Sequence, residues 1–147
     1  MLDGLPILIA EDQAMVALDL AHVVEELGGR VVGPVASVAE AMKCIQEQPV
    51  AAAILDANLV DRDVTPLAIH LLDQGTPFVI YTGTGLPDEL VKSYPAVPVV
   101  LKPTPAERVL RVLIDCIRQT TSGQSAPAGN AATASPDRPD RDEDRPG

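Results

Sequence analysis

The sequence predicts an α/β fold, a doubly wound parallel β-sheet packed between two layers of helices. Three observations lead there. Over residues 1–120, short apolar runs alternate with segments of helical spacing. The runs are continuous rather than alternately apolar and polar, so both faces of the strands need cover, which helices on either side of a parallel sheet provide. Beyond Thr120 the composition shifts to Ser, Ala, Gly, Pro, Asp and Arg, with no large apolar side chain. Such a stretch cannot bury enough surface to offset its ordering entropy. The domain is therefore placed at residues 1–120 and a disordered acidic, Pro-rich tail at 121–147.

The elements follow in order. Residues 5–10 are a continuous apolar run, the first strand. Ala17, Leu20, Val24 and Leu27 keep helical spacing, and Gly28-Gly29 can end that helix. Residues 31–36 form the second strand. Ser37-Val38-Ala39-Glu40 is a capping box, opening a helix with an apolar stripe of Val38, Ala41, Met42 and Ile45, and Pro49 closes it. Residues 50–55 are the third strand. Asp63 can cap a third helix running through Leu72, with Pro66 in its first turn and Gly75 just past its end. Residues 78–82 are the fourth strand, 87–93 a short helix and 97–101 the fifth strand. Thr104-Pro105 starts a last helix, with Pro at the first helical position and Val109, Val112, Leu113 and Cys116 in register. Crossovers between these parallel strands should be right-handed.

Composition narrows the function. The chain is 46% hydrophobic but only 2% aromatic, so its core must be made of Val, Leu, Ile and Ala. Its net charge of −10 at pH 7 repels nucleic-acid phosphates and anionic membrane surfaces alike. The tail balances five acidic residues from Asp137 to Asp144 with Arg138, Arg141 and Arg145, so most of the negative charge belongs to the domain. No apolar run reaches the roughly 18 residues of a spanning helix. The opening Met1-Leu2-Asp3-Gly4 lacks the basic residue of a secretion signal, so a cytoplasmic location is expected. Cys44 and Cys116 stand apart, outside any CxxC pair, and read as reduced thiols. His22 and His70 fall on helices and read as ordinary surface or core residues.

Polar residues gather where such a sheet places function, at the carboxyl ends of its strands. The first strand ends in Glu11-Asp12, the third in Asp56, the fourth in Thr82-Gly83 and the fifth in Lys102-Pro103. Each has an ordinary explanation. Asp12 could cap the first helix and Glu11 could favour its dipole. Asp56 could begin a turn, Thr82 could be a strand-end hydroxyl and Lys102 a solvated charge. Together, on one edge, they suit phosphoryl transfer. Clustered carboxylates raise one another's pKa, and a hard divalent cation such as Mg²⁺, which takes oxygen ligands, relieves the repulsion. Asp56 can then act as a nucleophile toward phosphorus. Lys102 and the Thr82 hydroxyl can stabilise the phosphoryl oxygens.

These residues resemble the receiver domain of two-component response regulators, over residues 5–117. Glu11-Asp12 match its acidic pair, Asp56 its phosphoacceptor, Thr82 its switch hydroxyl and Lys102-Pro103 its Lys-Pro pair, usually joined by a cis bond. Asn58 matches the position whose backbone carbonyl ligates Mg²⁺. The resemblance implies a flavodoxin-like (βα)5 fold with strand order 2-1-3-4-5. It also implies Mg²⁺ held by Glu11, Asp12, Asp56 and the Asn58 carbonyl. One departure stands out: most receivers carry Tyr or Phe three residues before the Lys, and here that residue is Val99. The FAT GUY subgroup of small receivers also lacks this aromatic and has Thr-Gly after the fourth strand, like Thr82-Gly83. Ile80, Tyr81 and Gly85 do not reproduce its remaining letters. That subgroup implies histidine kinases of the HWE or a related type as partners.

The expected function is a stand-alone receiver that takes phosphoryl from a histidine kinase or phosphotransfer protein onto Asp56 and signals through protein contacts. It would not be an enzyme beyond its own Mg-dependent phosphorylation and dephosphorylation. Two alternatives share some features. A phosphatase of the haloacid dehalogenase type also uses Asp, Mg²⁺, Thr and Lys. Its nucleophile, however, lies on an early strand in an Asp-x-Asp pattern, whereas here the pattern is Asp56-Ala57-Asn58. The other alternative is an interaction module whose site is vestigial, for which the missing switch aromatic is the one hint.

Overall fold

A computed structural model of the chain describes residues 1–121. The expected tail lies outside them, apart from Thr121, the last residue of the final helix. Ten elements alternate: β1 (Pro6–Ala10), α1 (Ala14–Glu26), β2 (Arg30–Val35), α2 (Val38–Glu47), β3 (Ala52–Leu55), α3 (Thr65–Gln74), β4 (Phe78–Thr82), α4 (Asp88–Ser93), β5 (Val99–Leu101) and α5 (Ala106–Thr121). The sheet order is β2-β1-β3-β4-β5, with every pairing parallel. Thus β1 and β3 lie side by side at the centre, with Ala10 opposite Leu55. The residues that follow them, Glu11 and Asp56, are thereby brought to one edge.

Strand alternation divides the core between two faces. Leu8, Ala10, Val32, Ala53, Leu55, Phe78 and Ile80 pack on one side with Val38 and Ala41 of α2, Leu67, Ala68 and Leu71 of α3, and Leu90 of α4. Ile7, Ile9, Ala52, Ile54 and Val79 turn to the other side, where α1 and the first part of α5 bury Leu20, Val24, Val109, Leu110 and Leu113. All of these side chains lie within the compact unit Met1–Ile114; Asp115 begins a second unit. The expectation of cover on both faces fails for β5. It is an edge strand, and Val99 and Leu101 are 36% and 59% exposed.

Local chemistry explains the element ends. Gly28 takes φ +85° after α1 and Gly75 φ +71° after α3, both in the left-handed region that favours glycine. Ser37 Oγ accepts the Glu40 N–H at 3.0 Å, while Glu40 Oε1 reaches back to the Ala36 N–H at 3.2 Å, one residue further than a reciprocal box requires. Asp63 is not the cap expected: the N-cap of α3 is Val64, which makes no side-chain cap bond, and Asp63, one residue earlier, closes a turn by accepting the Thr65 N–H on Oδ1 at 2.9 Å. Asp12 does not cap α1: the N-cap is Gln13, whose side chain makes no cap bond, and Glu11 Oε2 accepts the Gln13 N–H at 2.9 Å just ahead of the helix. Pro105 stands just outside α5 rather than at its first position, its carbonyl accepting from Arg108 and Val109.

The second strand is kinked. Gly33 has φ +92°, the Gly33–Pro34 bond is cis, and the β1–β2 register shifts between Leu8 and Ala10. Proline donates no ladder bond, which an edge strand tolerates. The shift still leaves the Glu11 N–H bonded to Val35 O at 2.9 Å, fixing the first site residue to the sheet.

Candidate functional site

The site forms where four strands end. Glu11 is 4% and Asp56 9% exposed, while Asp12 lies open to solvent. One carboxylate oxygen from each can be chosen so that all three lie within 4.8 Å of one another. Lys102 directly follows β5, and the Lys102–Pro103 bond after it is cis. Its Nζ lies 2.9 Å from Glu11 Oε1 and 3.2 Å from Asp56 Oδ2, and donates to Gln13 Oε1 at 3.0 Å. One ammonium therefore spans the ends of β1 and β3, held in turn by its own backbone, whose N–H donates to Thr82 O at 2.9 Å.

Charge and burial pull against each other here. Burial pushes the Glu11 carboxyl up from 4.5 to about 7, and the nearby Asp56 charge adds to that; the bonds from Lys102 and the Gln13 N–H oppose it. Burial would lower the Lys102 ammonium, but the hydrogen bond and charge of Glu11, then those of Asp56, outweigh it and hold Lys102 above its ordinary 10.5. The Glu11 Oε1 atom has the Lys102 ammonium, at 2.9 Å, as its neighbour of opposite charge. Three carboxylate oxygens within 4.8 Å of one another, two of them from buried residues, are a donor set suited to a hard cation such as Mg²⁺. The residues present fit that ion.

A second cluster borders the first. Thr82 is buried; its hydroxyl lies 3.1 Å from that of Thr84 and accepts the Thr84 N–H at 3.2 Å. Asn58 Nδ2 donates to Thr84 Oγ1 at 3.1 Å, and the Asn58 N–H makes a long 3.4 Å contact with Asp56 Oδ1. The turn carrying Asn58 is closed by Leu59 N–H to Arg62 O and Val64 N–H to Ala57 O. It is tied to α2 through Asp61, whose oxygens accept the Val38 and Ala39 N–H groups at 2.8 and 3.1 Å. The Val38 bond foremost holds the Asp61 carboxyl below its ordinary value.

The structure thus brings Glu11, Asp12, Asp56 and Lys102 together directly, sets the Asn58 N–H against Asp56, and joins the Thr82 hydroxyl to Asn58 through Thr84. Sequence reasoning missed Gln13, Asp61 and Tyr81. Gln13 carried a signal in its position, directly after the acidic pair where the chain enters α1. Asp61 and Tyr81 gave none, because one looks like a loop charge and the other like a core ring.

No family model and no curated protein matches the chain. Solved structures do. The chain is similar to SdrG from Sphingomonas melonis Fr1, at 32% identity over 80% of this chain and 99% of that one, with a TM-score of 0.66. The chain belongs to the response regulator receiver family. Two more receivers show the same fold. The CheY-like receiver domain protein from Methanospirillum hungatei JF-1 is 22% identical over 82% of this chain and 98% of that one, at TM-score 0.72. The receiver domain of sensor histidine kinase PA1611 from Pseudomonas aeruginosa PAO1 is 21% identical over 78% of this chain and 98% of that one, at 0.66. The latter holds a magnesium ion in its active-site cleft. The expected strand order 2-1-3-4-5 is the observed one. Among the described residues, no helix of the receiver is long and apolar enough to cross a membrane.

Proposed function

We propose that this receiver accepts a phosphoryl group on Asp56 from a phosphohistidine of a histidine kinase or phosphotransfer protein. The observation that carries the reading is the Lys102 ammonium set between the Glu11 and Asp56 carboxylates. A carboxylate oxygen of Asp56 forms a bond to phosphorus, the phosphorus–nitrogen bond of the donor breaks, and the electron pair leaves with the imidazole, which takes up a proton. The product is an aspartyl phosphate.

Each side chain has a part. Lys102 orients the acceptor through its bond to Asp56 Oδ2, and its charge faces the oxygens of the arriving phosphoryl group. Thr82 offers a hydroxyl that can leave Thr84 for a phosphoryl oxygen. Glu11, Asp12, Asp56 and the Asn58 carbonyl would hold Mg²⁺, which would supply positive charge to offset the negative charge of the carboxylates and of the phosphoryl group. Thr82-Gly83 and the aliphatic Val99 support a place in the FAT GUY subgroup and an HWE-type kinase as donor. Output runs through contacts with a partner protein.

The test is intact mass after incubation with acetyl phosphate and Mg²⁺, beside Asp56→Asn and an EDTA control. Wild type should gain one phosphoryl group and both controls none. Equal gain in Asp56→Asn would overturn the assignment.

A further inference from the structure

Tyr81 sits on β4 next to Thr82 and is buried. Adjacent strand residues face opposite ways, so Tyr81 lies on the side of the sheet away from the Thr82 hydroxyl. Its own hydroxyl is fully engaged with one residue. It donates to Thr104 O at 2.7 Å and accepts the Thr104 N–H at 3.1 Å. Both backbone groups of Thr104 are thus fixed by one phenol. The same ring lies under the site lysine, with Lys102 Nζ 5.6 Å from its centroid, within range of a cation–π attraction.

Those contacts bracket a short segment that needs holding. Lys102 leaves β5, a three-residue edge strand with two exposed side chains. Upstream, the Lys102 N–H is bonded to Thr82 O; downstream, the chain passes Pro103 to Thr104, whose Oγ1 donates back to Leu101 O at 2.6 Å. Val99 brings no ring to this segment. Tyr81 reaches it from the neighbouring strand at both ends, with its ring at the ammonium and its hydroxyl at Thr104.

We infer that Tyr81 is a positioning residue for Lys102, holding the Lys102–Thr104 segment so that the ammonium lies between Glu11 and Asp56. This rests on Asp56 accepting phosphoryl, as proposed above. If Tyr81 were only a core aromatic, Tyr81→Phe would keep its ring and its burial and change nothing at the site. If it positions Lys102, removing the hydroxyl frees Thr104 and loosens the lysine two residues away.

Two readouts decide, on the full chain. The first is nuclear magnetic resonance without any donor, following Thr104 amide exchange and the Lys102 side-chain ammonium. Tyr81→Phe should speed Thr104 exchange about tenfold, the effect of losing roughly 1.4 kcal/mol of hydrogen bonding. It should also weaken the ammonium signal. The second is the rate of labelling by acetyl phosphate with Mg²⁺ across donor concentrations. Tyr81→Phe should lower the maximal rate roughly tenfold while leaving half-saturation nearly unchanged, as expected for misplacement of a group acting in the transition state. Tyr81→Leu, which also loses the ring, should fall further. Unchanged Thr104 and Lys102 signals, or a wild-type maximal rate in Tyr81→Phe, would overturn the inference. Wild type that takes no label overturns the functional reading instead, and the donor-free signals then decide the positioning by themselves.

Discussion

Replacing Glu11 by Gln should flatten the pH dependence of stability. In the fold, burial lifts the Glu11 carboxyl from 4.5 to about 7. Between those values the folded protein keeps a proton that the unfolded chain has lost. The contribution of Glu11 is therefore complete below pH 4.5 and lost as pH rises through its folded value. At about 1.4 kcal/mol per pH unit, that interval is worth at most about 3.5 kcal/mol. Other shifted groups act outside it. Asp61 and Asp63 lie below their ordinary 3.8, so their contribution is present above 3.8 and lost as pH falls through their folded values. Lys102 lies above 10.5, so its contribution is lost only in strong alkali.

The assay is urea unfolding followed by far-ultraviolet circular dichroism, since the chain has no Trp. In EDTA, wild type should lose about 2–3 kcal/mol between pH 5 and pH 8, and Glu11→Gln should stay level within about 0.5 kcal/mol. Added Mg²⁺ should restore stability to wild type at pH 8 by binding the folded state, and do much less for the variant. A wild-type profile that is level, or a variant profile with the same slope, would refute the electrostatic reasoning.

Two further predictions follow from single contacts. Lys102→Gln removes the ammonium between two buried carboxylates; it should slow acetyl phosphate labelling about 100-fold or more, measured as a mass time course on folded protein. Gly33→Ala would set a Cβ 2.8 Å from the Val35 nitrogen and 3.1 Å from the Ile9 carbonyl oxygen, at φ +92°. It should cost about 1–3 kcal/mol in urea unfolding, and a neutral result would mean that β2 can relax its kink.

Much of the fold was legible because the sheet interior needs uniform apolar runs, and residues such as Ile7–Ala10 and Ala52–Leu55 supply them. The site was legible for a related reason. Asp56 and Glu11 interrupt those runs at positions that a parallel sheet carries to one edge. What could not be read depends on the third dimension. That Asp12 leaves α1 uncapped, while Glu11 bonds the Gln13 N–H, turns on which side chain curls back to Gln13. The exposure of Val99 and Leu101 follows from β5 being at the edge, which their apolar character conceals. Tyr81 reads as core filling until its hydroxyl is found on Thr104, 23 residues away in sequence.

The central claim is that Asp56 is the acceptor. Borohydride reduction tests it most directly, because it converts an aspartyl phosphate to homoserine and marks the residue in a peptide mass map. After labelling with acetyl phosphate and Mg²⁺, homoserine should appear at position 56. Homoserine at Asp12 or elsewhere, with position 56 unchanged, would contradict it.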